Sequence, residues 1–111
     1  MTMARLAAVM VAVGVFAACS DSTGSGGNST NITVGNNFFS PTPNTVPVGQ
    51  VTFTWATPSN GHNVIWLTGP APLPANAATK TSGTHQATLQ AGTYTYHCSL
   101  HSGMDGTITA Q

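Results

Sequence analysis

Charge is what this chain has least of. Its 111 residues include two lysines or arginines and two aspartates or glutamates, 4 % charged in all, with a formal net charge of zero when histidine is neutral. So few charges leave little to steer the chain towards nucleic acid or a strongly charged protein, and binding classes that depend on such fields are excluded. Helical periodicity and internal repeats are both missing, and the length admits one domain at most. The longest apolar run, Leu6 to Ala18, is too short to span a bilayer comfortably. Cysteine is nearly absent, with two residues in the chain.

What is there begins with that run. A short start bearing Arg5 and then thirteen apolar or small residues, Leu6 to Ala18, ending in Ala17-Ala18 before Cys19, have the layout of a secretory signal over residues 1–18. Because cysteine follows the alanines, the segment resembles a bacterial lipoprotein signal, which implies an acylated N-terminus at Cys19 and membrane attachment through that lipid alone. Ordinary cleavage without a lipid stays open. Residues 19–30, rich in Gly and Ser, read as a flexible tether; about eleven such residues reach on the order of 18 Å. Two matches to the N-glycosylation pattern, at Asn28 and Asn31, carry little weight beside a signal of bacterial type. Without Arg5, the remainder keeps Lys80 against Asp21 and Asp105. Cys98 is then a lone thiol in an exported protein, which asks for an explanation. A disulfide to Cys19 is the bland alternative, though it would tie a tether to an ordered turn.

From residue 31 to 111 the sequence is a succession of short alternating runs divided by Gly, Pro and Asn, which predicts an all-β sandwich or barrel of about seven strands. Ile32-Thr33-Val34 leads to a turn at Gly35-Asn36-Asn37 and then to Phe38-Phe39. Val51 to Trp55 alternates, with Val51, Phe53 and Trp55 on one face. His62 to Leu67, Thr84 to Leu89, Thr93 to Cys98 and Gly106 to Ala110 supply the other strands. Pro41 to Pro47 and Gly69 to Ala78 are too rich in proline for central strands and read as loops.

Cys98-Ser99-Leu100-His101-Ser102-Gly103-Met104 places a thiolate, an imidazole and a thioether in one turn, and His62 offers a second imidazole from far upstream. Strand alternation in Tyr94-Thr95-Tyr96-His97-Cys98 turns both tyrosines and Cys98 inward and His97 outward. Gly103 permits the tight turn that presents Met104. Singly, each residue has an ordinary structural reading: small apolar filler for Cys98, core for Met104, a hydrogen-bonded histidine for His62 or His101. Together, two imidazoles, a thiolate and a weak axial thioether make the donor set that suits copper in both oxidation states, with zinc as the nearest competitor. His97 reads as an exposed strand histidine, and His85, sharing a face with Ala87 and Leu89, as partly buried.

These features resemble the cupredoxins, the small blue copper proteins. The resemblance rests on Ile32-Thr33-Val34, Phe38-Phe39, Gly49-Gln50-Val51, His62-Asn63-Val64, Gly92-Thr93-Tyr94 and the Cys98 to Met104 loop, whose two-residue gap between His101 and Met104 is of the short amicyanin type. It implies a cupredoxin-like Greek-key β-sandwich with one type 1 copper. It also implies His62, Cys98 and His101 as equatorial ligands, Met104 as the axial one, and a bond between Asn63 and Ser99 that holds the ligand loop. Two departures stand out. His97 occupies the place where plastocyanins carry a tyrosine used as a second electron route, and Leu100 replaces a common loop proline.

The function expected is that of an electron-transfer protein in the cell envelope. It would be monomeric and no enzyme, and it would dock transiently with redox partners near His101, with Leu100 and the Gly69 to Pro74 loop as candidate docking residues. Copper delivery or storage with the same ligands is the alternative, although the clustered exposed Met or His residues it usually needs are missing. Multicopper oxidase chemistry is disfavoured because Ser99 follows Cys98 and no His-x-His pair exists.

Overall fold

Alternation along the strands decides the architecture. In the computed structural model, which describes residues 27–111, strand β4 (Gly49–Trp55) buries Val51, Phe53 and Trp55 and leaves the intervening threonines half-buried on the other side. The signal-like segment, Cys19 and tether residues 20–26 lie outside the described residues. Two sheets each turn one such face inward. One contains β2 (Phe38–Ser40), β1 (Asn31–Gly35), β4 and β7 (Thr84–Leu89) in that order. The other runs β3 (Asn44–Val46), β9 (Asp105–Ala110), β8 (Gly92–His97), β5 (His62–Thr68) and β6 (Ala77–Lys80). Pairings are antiparallel except β1 with β4 and β3 with β9. No residue among those described is helical.

The described residues thus form nine strands where about seven are expected, and the two extra ones, β3 and β6, fall in or beside the proline-rich stretches. β3 fits between Pro43 and Pro47 because it is an edge strand, pairing on one side only, with β9 from Asn44↔Ile108 to Val46↔Ala110. β6 takes the other edge of the same sheet. Residues 27–30, assigned by composition to the tether, are bound to the domain instead. The side chain of the buried Asn44 accepts from Ser29 N–H (2.9 Å) and donates to the Ser29 carbonyl (2.8 Å).

Tyr96 sits at the centre of the core, fully buried, with Phe39, Phe53 and Trp66 edge-on around it at centroid distances of 4.9, 5.3 and 5.3 Å. Aromatic rings prefer this arrangement to a face-to-face stack. Its ring lies against Gly106 so closely that a Cβ there would fall 2.3 Å from Cζ, so only glycine fits on β9 at that point. The packed aromatics fix the end of β8, and Cys98 follows two residues after Tyr96.

Candidate metal centre

Cys98 leaves β8 pointing inward, as alternation predicts, and is a buried free thiol. The loop that follows is closed by its own backbone: Cys98 N–H donates to the Met104 carbonyl (2.9 Å) and Met104 N–H to the His101 carbonyl (3.3 Å). Gly103 takes a φ of +81°, which side-chain-bearing residues rarely adopt, and so permits this closure. His101 is thereby folded back to place its Nδ1 3.6 Å from Cys98 Sγ. Met104 is buried at the foot of β9, 1 % exposed.

His62 opens β5 on the strand beside β8. Simple alternation would put His62 and Asn63 on opposite faces, yet both are buried, and the β5–β6 pairing shifts register between His62 and Val64. Such irregularities re-aim side chains next to functional sites. His62 Nδ1 lies 3.2 Å from His101 Nδ1 and 3.9 Å from Cys98 Sγ. The three residues form a group able to hold a metal ion, with ligand atoms all within 4.8 Å of one another. Burial, and after it the neighbouring His101 imidazole, hold His62 below the ordinary histidine pKa, favouring the neutral ring a metal requires.

Polar groups outside the triangle pin it. Asn63 Nδ2 donates to Ser99 Oγ and Ser99 N–H donates to Asn63 Oδ1, both at 2.8 Å, which joins β5 to the Cys98 loop as the resemblance implies. Two other contacts have no local sequence signal. Trp55 Nε1–H donates to the His62 carbonyl at 2.9 Å, and Asn36 Oδ1 lies 3.1 Å from His62 Nε2. His85 is half-buried and its Nε2 lies 3.1 Å from the Ala75 carbonyl. His97 is half-buried opposite Asp105. Neither belongs to the ligand group.

Two sheets packed around a His, Cys, His cluster, with a buried Met closing the loop, define a small metal-binding β-sandwich. The sequence matches the family model of the cupredoxin-like domain over residues 6–110, and the chain belongs to that family. No curated protein matches it. Solved structures do. A purple cupredoxin from Nitrosopumilus maritimus is 25 % identical, covering 73 % of this chain and 98 % of its own, with a TM-score of 0.60. A variant of amicyanin in its oxidized state is 25 % identical over 76 % of this chain and 83 % of its own, also at 0.60. A Cu-containing nitrite reductase from Thermus scotoductus SA-01 is 21 % identical with a TM-score of 0.65; it covers 89 % of this chain, which in turn spans 25 % of the reductase. With this fold, two imidazoles, a thiolate and a thioether point to a single copper site, because soft sulfur beside imidazole suits copper.

Proposed function

We propose that this chain carries single electrons on a type 1 copper held equatorially by His62, Cys98 and His101 and axially by Met104. The observation that carries the reading is the convergence of His62 Nδ1, His101 Nδ1 and Cys98 Sγ at 3.2–3.9 Å from one another, where the Cys98 loop meets the start of β5. When bound, copper supplies the one-electron couple. The protein's part is to hold the donors in one arrangement through both oxidation states and to keep water out. Three of the four donor residues are buried and His101 is half-exposed, which suits His101 as the route by which electrons enter and leave. Leu100, 54 % exposed beside it, suits an apolar docking surface for a redox partner in a protein with almost no charge to guide docking. Four protein donors leave no open position for a substrate, which argues against catalysis at this centre. Export, with attachment through Cys19 and a short tether, completes the proposal and rests on sequence alone.

The test is to load the purified protein with copper, record its visible spectrum and run voltammetry. An intense thiolate-to-copper charge-transfer band with a reversible one-electron wave is expected. A colourless protein that surrenders copper(I) to weak chelators would favour delivery or storage instead.

A further inference from the structure

We infer that Asn36 is a positioning residue for this centre: its side-chain oxygen, shared between the β4–β5 turn and His62, locks the imidazole in the tautomer whose bare Nδ1 faces the other donors. The inference rests on the proposed copper reading for its purpose, though not for its geometry. Asn36 Oδ1 lies 3.0 Å from the backbone nitrogen of Asn60 and 3.1 Å from His62 Nε2. A backbone N–H can only donate, so the shared atom must be the amide oxygen and not the amide nitrogen. An oxygen in that position can only accept, so Nε2 of His62 carries the hydrogen. A neutral imidazole holds one hydrogen, which leaves Nδ1 with a free lone pair, directed at His101 Nδ1 and Cys98 Sγ.

The placement depends on the β1–β2 turn. Gly35 pairs with Phe38 across a two-residue connection, and Asn37 takes the positive φ of 72° that closes it, a conformation Asn tolerates better than most residues. That leaves Asn36 on the turn, itself exposed, with its amide over the fully buried His62. Among the described residues Asn36 is the one hydrogen-bond partner of His62 Nε2, so a surface side chain from the opposite sheet helps to orient a buried ligand. A ligating histidine whose second nitrogen donates to an acceptor is fixed in orientation and made a better donor, and loss of such an acceptor typically costs 10–100-fold in metal affinity.

The experiment uses the full chain, free of copper and then loaded, as wild type, Asn36→Leu and Asn36→Asp. Long-range 15N NMR of the copper-free protein reads the tautomer directly. Wild type and Asn36→Asp are expected to show His62 protonated at Nε2, whereas Asn36→Leu gives a mixture. In the loaded protein, Asn36→Leu should weaken copper(II) binding by about 10–100-fold. Asn36→Asp, a stronger acceptor, should retain binding and lower the reduction potential, by about 59 mV for each tenfold gain in preference for copper(II) over copper(I). A wild-type His62 protonated at Nδ1, or an Asn36→Leu protein with unchanged tautomer and affinity, would overturn the inference. If Asn36→Leu does not fold, the wild-type tautomer and the Asn36→Asp potential decide it. A wild type with the expected tautomer that gives no charge-transfer band would refute the copper reading and leave the Asn36 assignment standing.

Discussion

Replacing Asn63 by alanine should loosen the ligand loop and the fold together, by an amount the geometry allows to be worked out. Asn63 makes two 2.8 Å hydrogen bonds to Ser99, one to the hydroxyl and one from the backbone N–H. Each is worth about 0.5–1.5 kcal/mol net, so losing both costs about 1–3 kcal/mol. Ser99 is itself exposed, so water can satisfy the groups left behind and the larger penalty for a stranded buried donor does not apply. For a domain of this size each kcal/mol shifts Tm by about 4–8 °C. Ser99→Ala removes the hydroxyl bond and keeps the backbone one, so it should cost about half as much. Urea or thermal unfolding of the copper-free proteins measures both values. In the loaded protein Asn63→Ala should weaken copper binding by about 10–100-fold, because the residue after Cys98 is no longer held. Equal losses in the two variants would show that the backbone bond contributes nothing. A stability loss with unchanged spectrum and copper affinity would show that the pair staples the sheet without acting on the thiolate.

Three further outcomes are expected. Cys98→Ser should abolish the visible charge-transfer band, since the thiolate is its electron source; a variant that keeps the band would remove Cys98 from the ligand set. Met104→Gln should keep copper bound and lower the reduction potential in voltammetry, because an oxygen donor on the axis favours copper(II) more than a thioether does; an unchanged potential would mean Met104 is not axial. Tyr96→Phe should raise the stability of the copper-free protein by about 1 kcal/mol in urea unfolding, because the buried Tyr96 hydroxyl has no hydrogen-bond partner among the described residues and such a group is costly to leave unmatched. The same variant tests a pH effect. Burial pushes the Tyr96 phenol above its ordinary value near 10, so the folded protein keeps a proton that the unfolded chain releases. Stability from this group is complete below about pH 10 and falls as pH rises beyond it, by up to about 1.4 kcal/mol per pH unit, and Tyr96→Phe should remove that part of the slope. An alkaline decline of equal steepness in the variant would show that it has another source.

Three of the four proposed ligands could be proposed from sequence because their signal is local, whereas His62 stands 36 residues before Cys98. Cys98, His101 and Met104 sit in one turn, and strand alternation is enough to turn Cys98 inward from Tyr94 and Tyr96. The same rule places Val51, Phe53 and Trp55 in the core, as found. What sequence could not supply depends on contacts between distant segments. β3 has three residues between prolines and no pattern of its own; it exists because β9, some sixty residues later, offers an edge to pair with. Asn36 reads locally as a turn former, which it is, and nothing near it shows that its amide reaches a histidine 26 positions on. Trp55 likewise reads as core, and only the folded chain brings its indole N–H to the His62 carbonyl. The division has a physical basis. Donor identity is a property of residue types and short spacing, whereas donor orientation is set by hydrogen bonds from the opposite sheet, which form only when the sandwich closes. A copper centre meant to keep one geometry through both oxidation states needs the second as much as the first, so Asn36 and Trp55, silent in the sequence, are the positions where substitutions should alter the centre while leaving all four donor residues in place.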